Sequence, residues 1–274
     1  MQKIGIIAGN GDFPLEFAKA AKRKGLTVVS VAHEDETLPE LAQWSDAICW
    51  IKVGHLGKLI KFFKEQGVHD VLMAGGIKKT RLFSGSLPDL RGAALLARMI
   101  AKKDDSILRA VAEELETEGI TVQPSTLYLD DLLAHAGVMT RRKPSKDEWK
   151  DITFGWHLAK EIGRLDIGQT VVVKDLAVLA VEAIEGTDEA IRRGGNLCRE
   201  GAVVVKICKP QQDLRFDLPA TGIRTISTMR EVKAACLAVE AGKTIMIQKE
   251  ELIAQAEEAG IAIVALNEDG SIPA

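Results

Sequence analysis

The first hydrophobic block, "KIGIIAG" at residues 3–9, is a short apolar run ending in glycine. That is the pattern of a parallel strand buried on both faces. From Pro14 to Lys24 the apolar residues Leu15, Phe17, Ala18 and Ala21 fall at three- and four-residue spacing, which predicts a helix. "LTVVSVA" and "DAICWI" read as strands, "LGKLIKFFKEQG" as a helix and "HDVLMAGG" as a further strand. The alternation predicts a Rossmann-like, mostly parallel sheet. Beyond Gly76, two helical periods, "LRGAALLARMIAKK" and "DDSILRAVAEELETEG", lead to a short strand at "ITVQPS" on the sheet edge.

Periodicity lapses over residues 134–147, "AHAGVMTRRKPSKD", where basic residues and a proline collect. This stretch reads as the crossing between an N-terminal domain, 1–134, and a C-terminal domain, 135–274. The second half opens with a helix through "WKDITFGWHLAKEIGRLD", then two apolar runs, "QTVVVKD" and "LAVLAVEAIEG", that predict paired strands. A helix over "DEAIRRGGNLCREG", weakened by Gly194 and Gly195, precedes the buried strand "AVVVKICKP". The end reads as helix "MREVKAACLAVEAG", strand "KTIMIQ", helix "KEELIAQAEEAG" and strand "IAIVAL". The expected fold class is α/β, with two α/β domains and no repeat between them.

Composition narrows this picture. The 274 residues suit one large domain or two ordinary ones. Aromatics make up only 4%, so the core must be built mainly from Ala, Val, Leu and Ile. A net charge of −3 lacks the basic footprint of a nucleic-acid binder. The cysteines at 49, 198, 208 and 236 form no C-x-x-C pair and read as reduced thiols of a cytosolic protein. The N-terminus enters a strand directly, without a signal-peptide apolar segment, and no apolar run approaches the roughly 20 residues that span a bilayer. A soluble, cytoplasmic protein is expected, with peripheral contact to the inner membrane left open.

Four stretches carry candidate chemistry. "AGNGDFP" sets Gly9, Asn10 and Gly11 behind the first strand, but Pro14 stands where a dinucleotide fingerprint needs its third glycine. What remains is a glycine turn opening a helix, which suits a phosphate, or else a plain tight turn. "MAGGIKKTRLF" repeats the arrangement with Gly75 and Gly76 followed by Lys78, Lys79 and Arg81. "AVEAIEGTDEAIRRGG" gathers Glu182, Glu185 and Asp188 at a strand-to-helix junction, where Thr187 is placed to cap the helix. Glu182 is harder to explain, since an unpaired carboxylate at the end of an apolar strand is costly, and Arg192 and Arg193 are its candidate partners. Finally, in and just before "KPQQDLRFDLPATGIRT", Lys206, Lys209, Arg215 and Arg224 bracket Asp213 and Asp217. Carboxylates among cations suit metal-assisted phosphoryl chemistry, although a solvated surface loop has the same composition.

Taken together and in order, "GIIAGNGDFPL", "MAGGIKKTRL", "DDSILRAV", "VLAVEAIEGTDEAIRRGG" and "KPQQDLRFDLPATGIRTI" resemble the UDP-2,3-diacylglucosamine pyrophosphatases of the LpxI type. The resemblance runs from Ile4 to about Val264. It implies two domains with the active site between them, and Mg²⁺-dependent hydrolysis of a diphosphate, with Mn²⁺ as a substitute ion. The implied substrate is a lipid-linked UDP-sugar and the implied products are UMP and 2,3-diacylglucosamine 1-phosphate, a step of lipid A synthesis in Gram-negative bacteria. Asp217, in R-x-D-x-P-x-x-G, matches the catalytic aspartate, assigned to metal binding or water orientation. Arg215 and Lys209 then become phosphate contacts, with Glu182 and Asp188 as further metal ligands. Gly9, Asn10, Gly11, Gly75, Gly76 and Lys78 would line the nucleotide end. Thr187, Arg192, Arg193 and Thr221 complete the expected substrate contacts.

Two other readings compete. One is an NAD(P)-type oxidoreductase, against which stand Pro14 and the absence of a clear ribose-binding acid, Glu34 being the nearest after the second strand. The other is a nucleotide- or lipid-binding module that does not cleave its ligand.

Overall fold

The computed structural model describes residues 2–77, 87–102, 107–124, 126–127, 129–216 and 218–272. The chain divides into two compact units, Met1–Leu129 with Leu214–Phe216, and Asp130–Asp213 with Asp217–Ala274. Both are α/β. No described helix is long and apolar enough to cross a membrane.

The first unit opens with β1 (Lys3–Ala8), α1 (Phe13–Arg23), β2 (Thr27–His33) and β3 (Ala47–Ile51). It continues through α2 (Leu56–Glu65), β4 (Asp70–Ala74), α3 (Leu90–Lys102), α4 (Ile107–Thr117) and β5 (Thr121–Val122). The five strands run parallel in the order β3-β2-β1-β4-β5. β1 and β2 are buried along almost their whole length, which is why they read as continuous apolar runs. Strand order reverses between β1 and β4, so the crevice at their carboxyl ends is where open parallel sheets accept ligands. Phe216 packs against the core of this unit, a cluster that includes Phe63, Val71 and Leu115.

The second unit holds β6 (Gly137–Val138), α5 (Lys146–Arg164), β7 (Thr170–Lys174), β8 (Ala177–Val181) and α6 (Thr187–Cys198). Next along the chain are β9 (Val203–Lys206), β10 (Ala220–Thr221), α7 (Ile223–Glu231), β11 (Cys236–Glu240), β12 (Ile245–Met246), α8 (Lys249–Glu258) and β13 (Ala262–Leu266). Six strands form one sheet, β6-β13-β11-β9-β7-β8, in which β13, β11 and β9 are parallel and the others antiparallel. β10 and β12 form a separate parallel pair. Alternate residues serve two cores: Val172, Val204, Leu237 and Ile263 on one face, Val171, Val203, Cys236 and Val264 on the other.

Two expectations change here. The predicted helix over "MREVKAACLAVEAG" is instead the end of α7 followed by β11, every residue of which is buried. Ala-rich sequence reads as helix, but a strand flanked by β9 and β13 has no polar face, and tertiary burial overrides the local preference. The stretch read as a domain crossing is built into the second unit: β6 pairs with β13, and Arg141 and Arg142 bond Glu257 and Glu148. Its "PSKDE" carries a full capping box, in which the Ser145 hydroxyl accepts from the Glu148 N–H and the Glu148 carboxylate accepts from the Ser145 N–H. α5 therefore starts at Lys146, three residues before the expected helix.

Candidate functional site

In the second unit, strand register assembles a polar row on an apolar face. Val172 pairs with Ala180 and with Val204, all three in the same core. Two residues away on β7, Thr170 pairs with Lys206, while the Glu182 N–H donates to the Thr170 carbonyl. Period-two alternation therefore puts Glu182, Thr170 and Lys206 side by side, one step beyond the hydrophobic rows. Ile191 of α6 packs into that same core, so the helix lies over this face.

The three side chains are at most 7% exposed. The Thr187 hydroxyl donates to Glu182 Oε1 at 2.9 Å and accepts from Lys206 Nζ at 3.1 Å. Lys206 also donates to the Ala220 carbonyl at 2.8 Å. Among the described residues, Glu182 Oε2 is buried with no hydrogen-bond partner, and so are the hydroxyls of Thr170 and Thr221. Orphaned polar atoms are rare in folded interiors and mark places where a ligand or ion can complete the set.

A cavity of about 310 Å³ opens beside this row, lined by Glu185, Gly186, Thr187, Asp188, Glu189, Lys206, Arg224 and Thr225. It sits on the first turn of α6, whose N-cap, Gly186, provides no side-chain hydrogen bond. An uncapped helix N-terminus presents N–H groups and a positive dipole end, which favour an anion. The nearly buried Lys206 adds a full charge. Asp188 is held by Arg224 at 2.7 Å and by the Thr225 hydroxyl at 3.4 Å. Glu185 is held below the usual carboxylate range by its own backbone N–H and then by Arg193.

Several expected roles are redistributed. Thr187 is not the cap of α6 but its first residue, and its hydroxyl serves Glu182. Arg192 bonds Glu189 and Glu231, and Arg193 bonds Glu185 and the Val181 carbonyl, so the side chain that reaches Glu182 is Thr187 rather than either arginine. Thr221 pairs with Met246 in the small sheet, close in sequence to the Ala220 carbonyl that Lys206 reaches. Lys209 is paired with Asp166 at 2.7 Å, and Arg215, in the first unit, lies 3.2 Å from Glu116 and stacks over Phe216. Asp217 and Lys78 lie outside the described residues. In the sequence, Lys206 stands out only as one of four cations around the loop. The signal for it is a lysine closing the apolar strand "VVVK".

Among the described residues, no three His, Cys, Asp or Glu side chains converge on a metal position. Mg²⁺ needs fewer, since it keeps several waters and often takes only one or two carboxylates plus substrate phosphate. Glu182 Oε2, an oxygen without a hydrogen-bond partner among the described residues, fits that requirement. Asp188 fits less well because both its oxygens are engaged.

The first unit presents the two glycine turns at the carboxyl ends of β1 and β4. Asn10 pairs with Gly76 across them, and the Asn10 N–H donates to the Gly76 carbonyl at 2.7 Å. A Cβ on Gly9 would stand 2.2 Å from the Gly76 oxygen, and one on Gly75 would stand 2.3 Å from the Asn10 oxygen. Mutual packing therefore explains both glycines without a ligand. Behind them, His33 Nδ1 and the Thr37 hydroxyl both bond the Ala8 carbonyl. Glu36, rather than Glu34, turns back to the glycine turn, accepting from Asn10 Nδ2 at 2.8 Å.

Comparison with known proteins covers nearly the whole chain. Residues 3–132 match the LpxI N-terminal domain and residues 135–264 the LpxI C-terminal domain. UDP-2,3-diacylglucosamine pyrophosphatase LpxI of Caulobacter vibrioides is 33% identical over 278 aligned positions, 97% of this chain and 98% of that protein. The bifunctional purine biosynthesis protein PurH of Bradyrhizobium diazoefficiens is 28% identical over 71% of this chain but only 33% of its own length. Among solved structures, a biotin carboxylase domain from Hydrogenobacter thermophilus has a TM-score of 0.30 and 15% identity over 64% of this chain and 35% of that one, too slight to bear on fold. With both domains matched in order, and a relative alike from end to end, the chain belongs to the LpxI family.

Proposed function

We propose that this protein hydrolyses the diphosphate of UDP-2,3-diacylglucosamine, releasing UMP and 2,3-diacylglucosamine 1-phosphate in lipid A synthesis. The observation that carries the chemistry is the nearly buried ammonium of Lys206 at the uncapped N-terminus of α6, linked through the Thr187 hydroxyl to the partly unsatisfied Glu182. An ammonium and helix N–H groups facing one cavity stabilise charge developing on phosphate oxygens, the main requirement of phosphoryl transfer. Glu182 Oε2 is suited to orient the attacking water or to hold an ion.

Mg²⁺, when bound, would neutralise phosphate charge. Glu182 and Asp217 are the residues proposed to hold it, Asp217 on the strength of its R-x-D-x-P-x-x-G context. Lys209 and Arg215 are proposed as further phosphate contacts, and the two glycine turns with Asn10 as the nucleotide subsite. The neutralising partners Asp166 and Glu116 would have to be exchanged for phosphate by those two cations.

The test is incubation with UDP-2,3-diacylglucosamine with and without Mg²⁺, monitoring UMP. Release that depends on the ion, and that falls at least ~10²-fold in Asp217→Ala, is expected for a lost catalytic group. Absence of UMP under all conditions overturns the reading. Bound NAD(P) would favour the oxidoreductase in its place.

A further inference from the structure

Glu240 closes β11, and its side chain has no exposed surface. A carboxylate in such a place is costly unless it is paired and hydrogen-bonded. Its Oε2 accepts from Lys160 Nζ at 2.7 Å and from the Cys208 backbone N–H at 2.9 Å. Lys243 Nζ lies 3.1 Å from Oε1 as an ion pair and 2.9 Å from Glu268. Lys160 in turn reaches the Cys208 carbonyl at 3.4 Å. The Glu240–Lys160 pair thus grips both polar groups of one residue, at the point where the chain leaves β9.

The charged loop begins directly after Cys208, and its first turn is fixed by the same neighbourhood. Gln212 Oε1 accepts from the Lys209 N–H at 2.9 Å, and Gln211 Nε2 donates to the Gly163 carbonyl at 2.8 Å. In the other direction, Val239 pairs with Lys206 in the sheet, so Glu240 sits one residue beyond the strand position that carries the site's ammonium. A fully apolar residue would satisfy the core here, as the four preceding positions of β11 do. The ion pair stands in place of that simpler solution.

We propose that Glu240, with Lys160, is a positioning residue for hydrolysis. It fixes the Cys208 peptide and thereby the path of the chain between Lys206 and Lys209, without touching substrate itself. This rests on the reading of Lys206 and the loop as the hydrolytic machinery.

Two variants separate positioning from simple stability. Glu240→Gln keeps an oxygen for the Cys208 N–H. The double variant Glu240→Met with Lys160→Met removes both charges together, so that neither is left buried alone, and deletes that acceptor. Amide hydrogen exchange over Cys208–Gln212 and steady-state kinetics of UMP release are measured on each, well below its melting temperature. The double variant is expected to exchange faster at Cys208 and to lose kcat by about 10²-fold with little change in KM, the scale of a reacting group displaced by about 1 Å. Glu240→Gln is expected to behave nearly as the native protein in both measurements. Unchanged exchange in the double variant, or faster exchange with native kcat, overturns the proposal. If the native protein releases no UMP, the functional reading fails instead, and exchange alone still decides whether Glu240 anchors the loop.

Discussion

Thr187 donates its hydroxyl to Glu182 Oε1 at 2.9 Å, tying the carboxylate just beyond β8 to the first residue of the next helix. The same hydroxyl accepts from Lys206, so two buried groups of opposite charge share one small donor-acceptor. Removing it would leave neither Glu182 oxygen hydrogen-bonded among the described residues, since Oε2 already has no partner. Thr187→Val should therefore lower stability by about 1.5–3 kcal/mol, the range for a hydrogen bond to a charged group. Thr187→Ser should restore most of it. Urea denaturation of the two variants checks the difference, and equal stabilities would show that the hydroxyl is not holding Glu182.

Lys206 owes its place to the sheet, because the carboxyl end of β9 brings its ammonium beneath the first turn of α6. Lys206→Met keeps the length and apolar stem of the side chain. It should remain folded and lose turnover by about 10²–10³-fold, as when a preorganised charge-stabilising donor is removed. UMP release under saturating substrate measures this directly.

Gly195 on α6 is a packing requirement rather than a weak point in the helix. A Cβ there would stand 2.3 Å from Val232 Cγ2 and 2.4 Å from its Cβ. Gly195→Ala should cost about 1–3 kcal/mol through overpacking, despite alanine's better helix propensity. The double change with Val232→Ala should recover part of that loss in a thermal melt.

His33 links the first unit's stability to pH. Burial pushes its pKa below the usual 6.5, outweighing the Ala8 carbonyl and Glu36, which act in the opposite direction. Between the folded value and 6.5 the unfolded chain binds more protons than the folded one, so stability rises with pH across that window. The contribution is complete above pH 6.5 and is lost as pH falls through the folded value. Melting temperatures between about pH 7.5 and about pH 5 should fall more steeply for the native protein than for His33→Gln. Parallel curves would remove His33 as the cause.

Much of the fold follows from local pattern. β1, β2, β4, β9 and β13 are apolar runs with glycine or charge at their ends, and α1, α2 and α8 show regular three- and four-residue spacing. The capping box at Ser145–Glu148 is equally readable, and it moves the start of α5 into a stretch whose proline and cations look like a linker. The "CLAVE" of β11 is not readable as a strand. Its helix-favouring residues become a strand only because β9 and β13 cover its two edges and the two cores its faces.

The candidate site divides in the same way. The sequence alone supplied the residue types, the family pattern and the suspicion that Glu182 needed a partner. Only the tertiary structure decided that the partner is Thr187, that Arg192 and Arg193 are committed elsewhere, and that Lys206 completes the row. The reason is physical: period-two alternation places a side chain on a face, but which groups meet across that face depends on register between strands, and β9 lies far from the β7–β8 hairpin in sequence. Thr170 and Glu182 meet across the β7–β8 hairpin, but nothing within that hairpin specifies that Lys206 of β9 joins them.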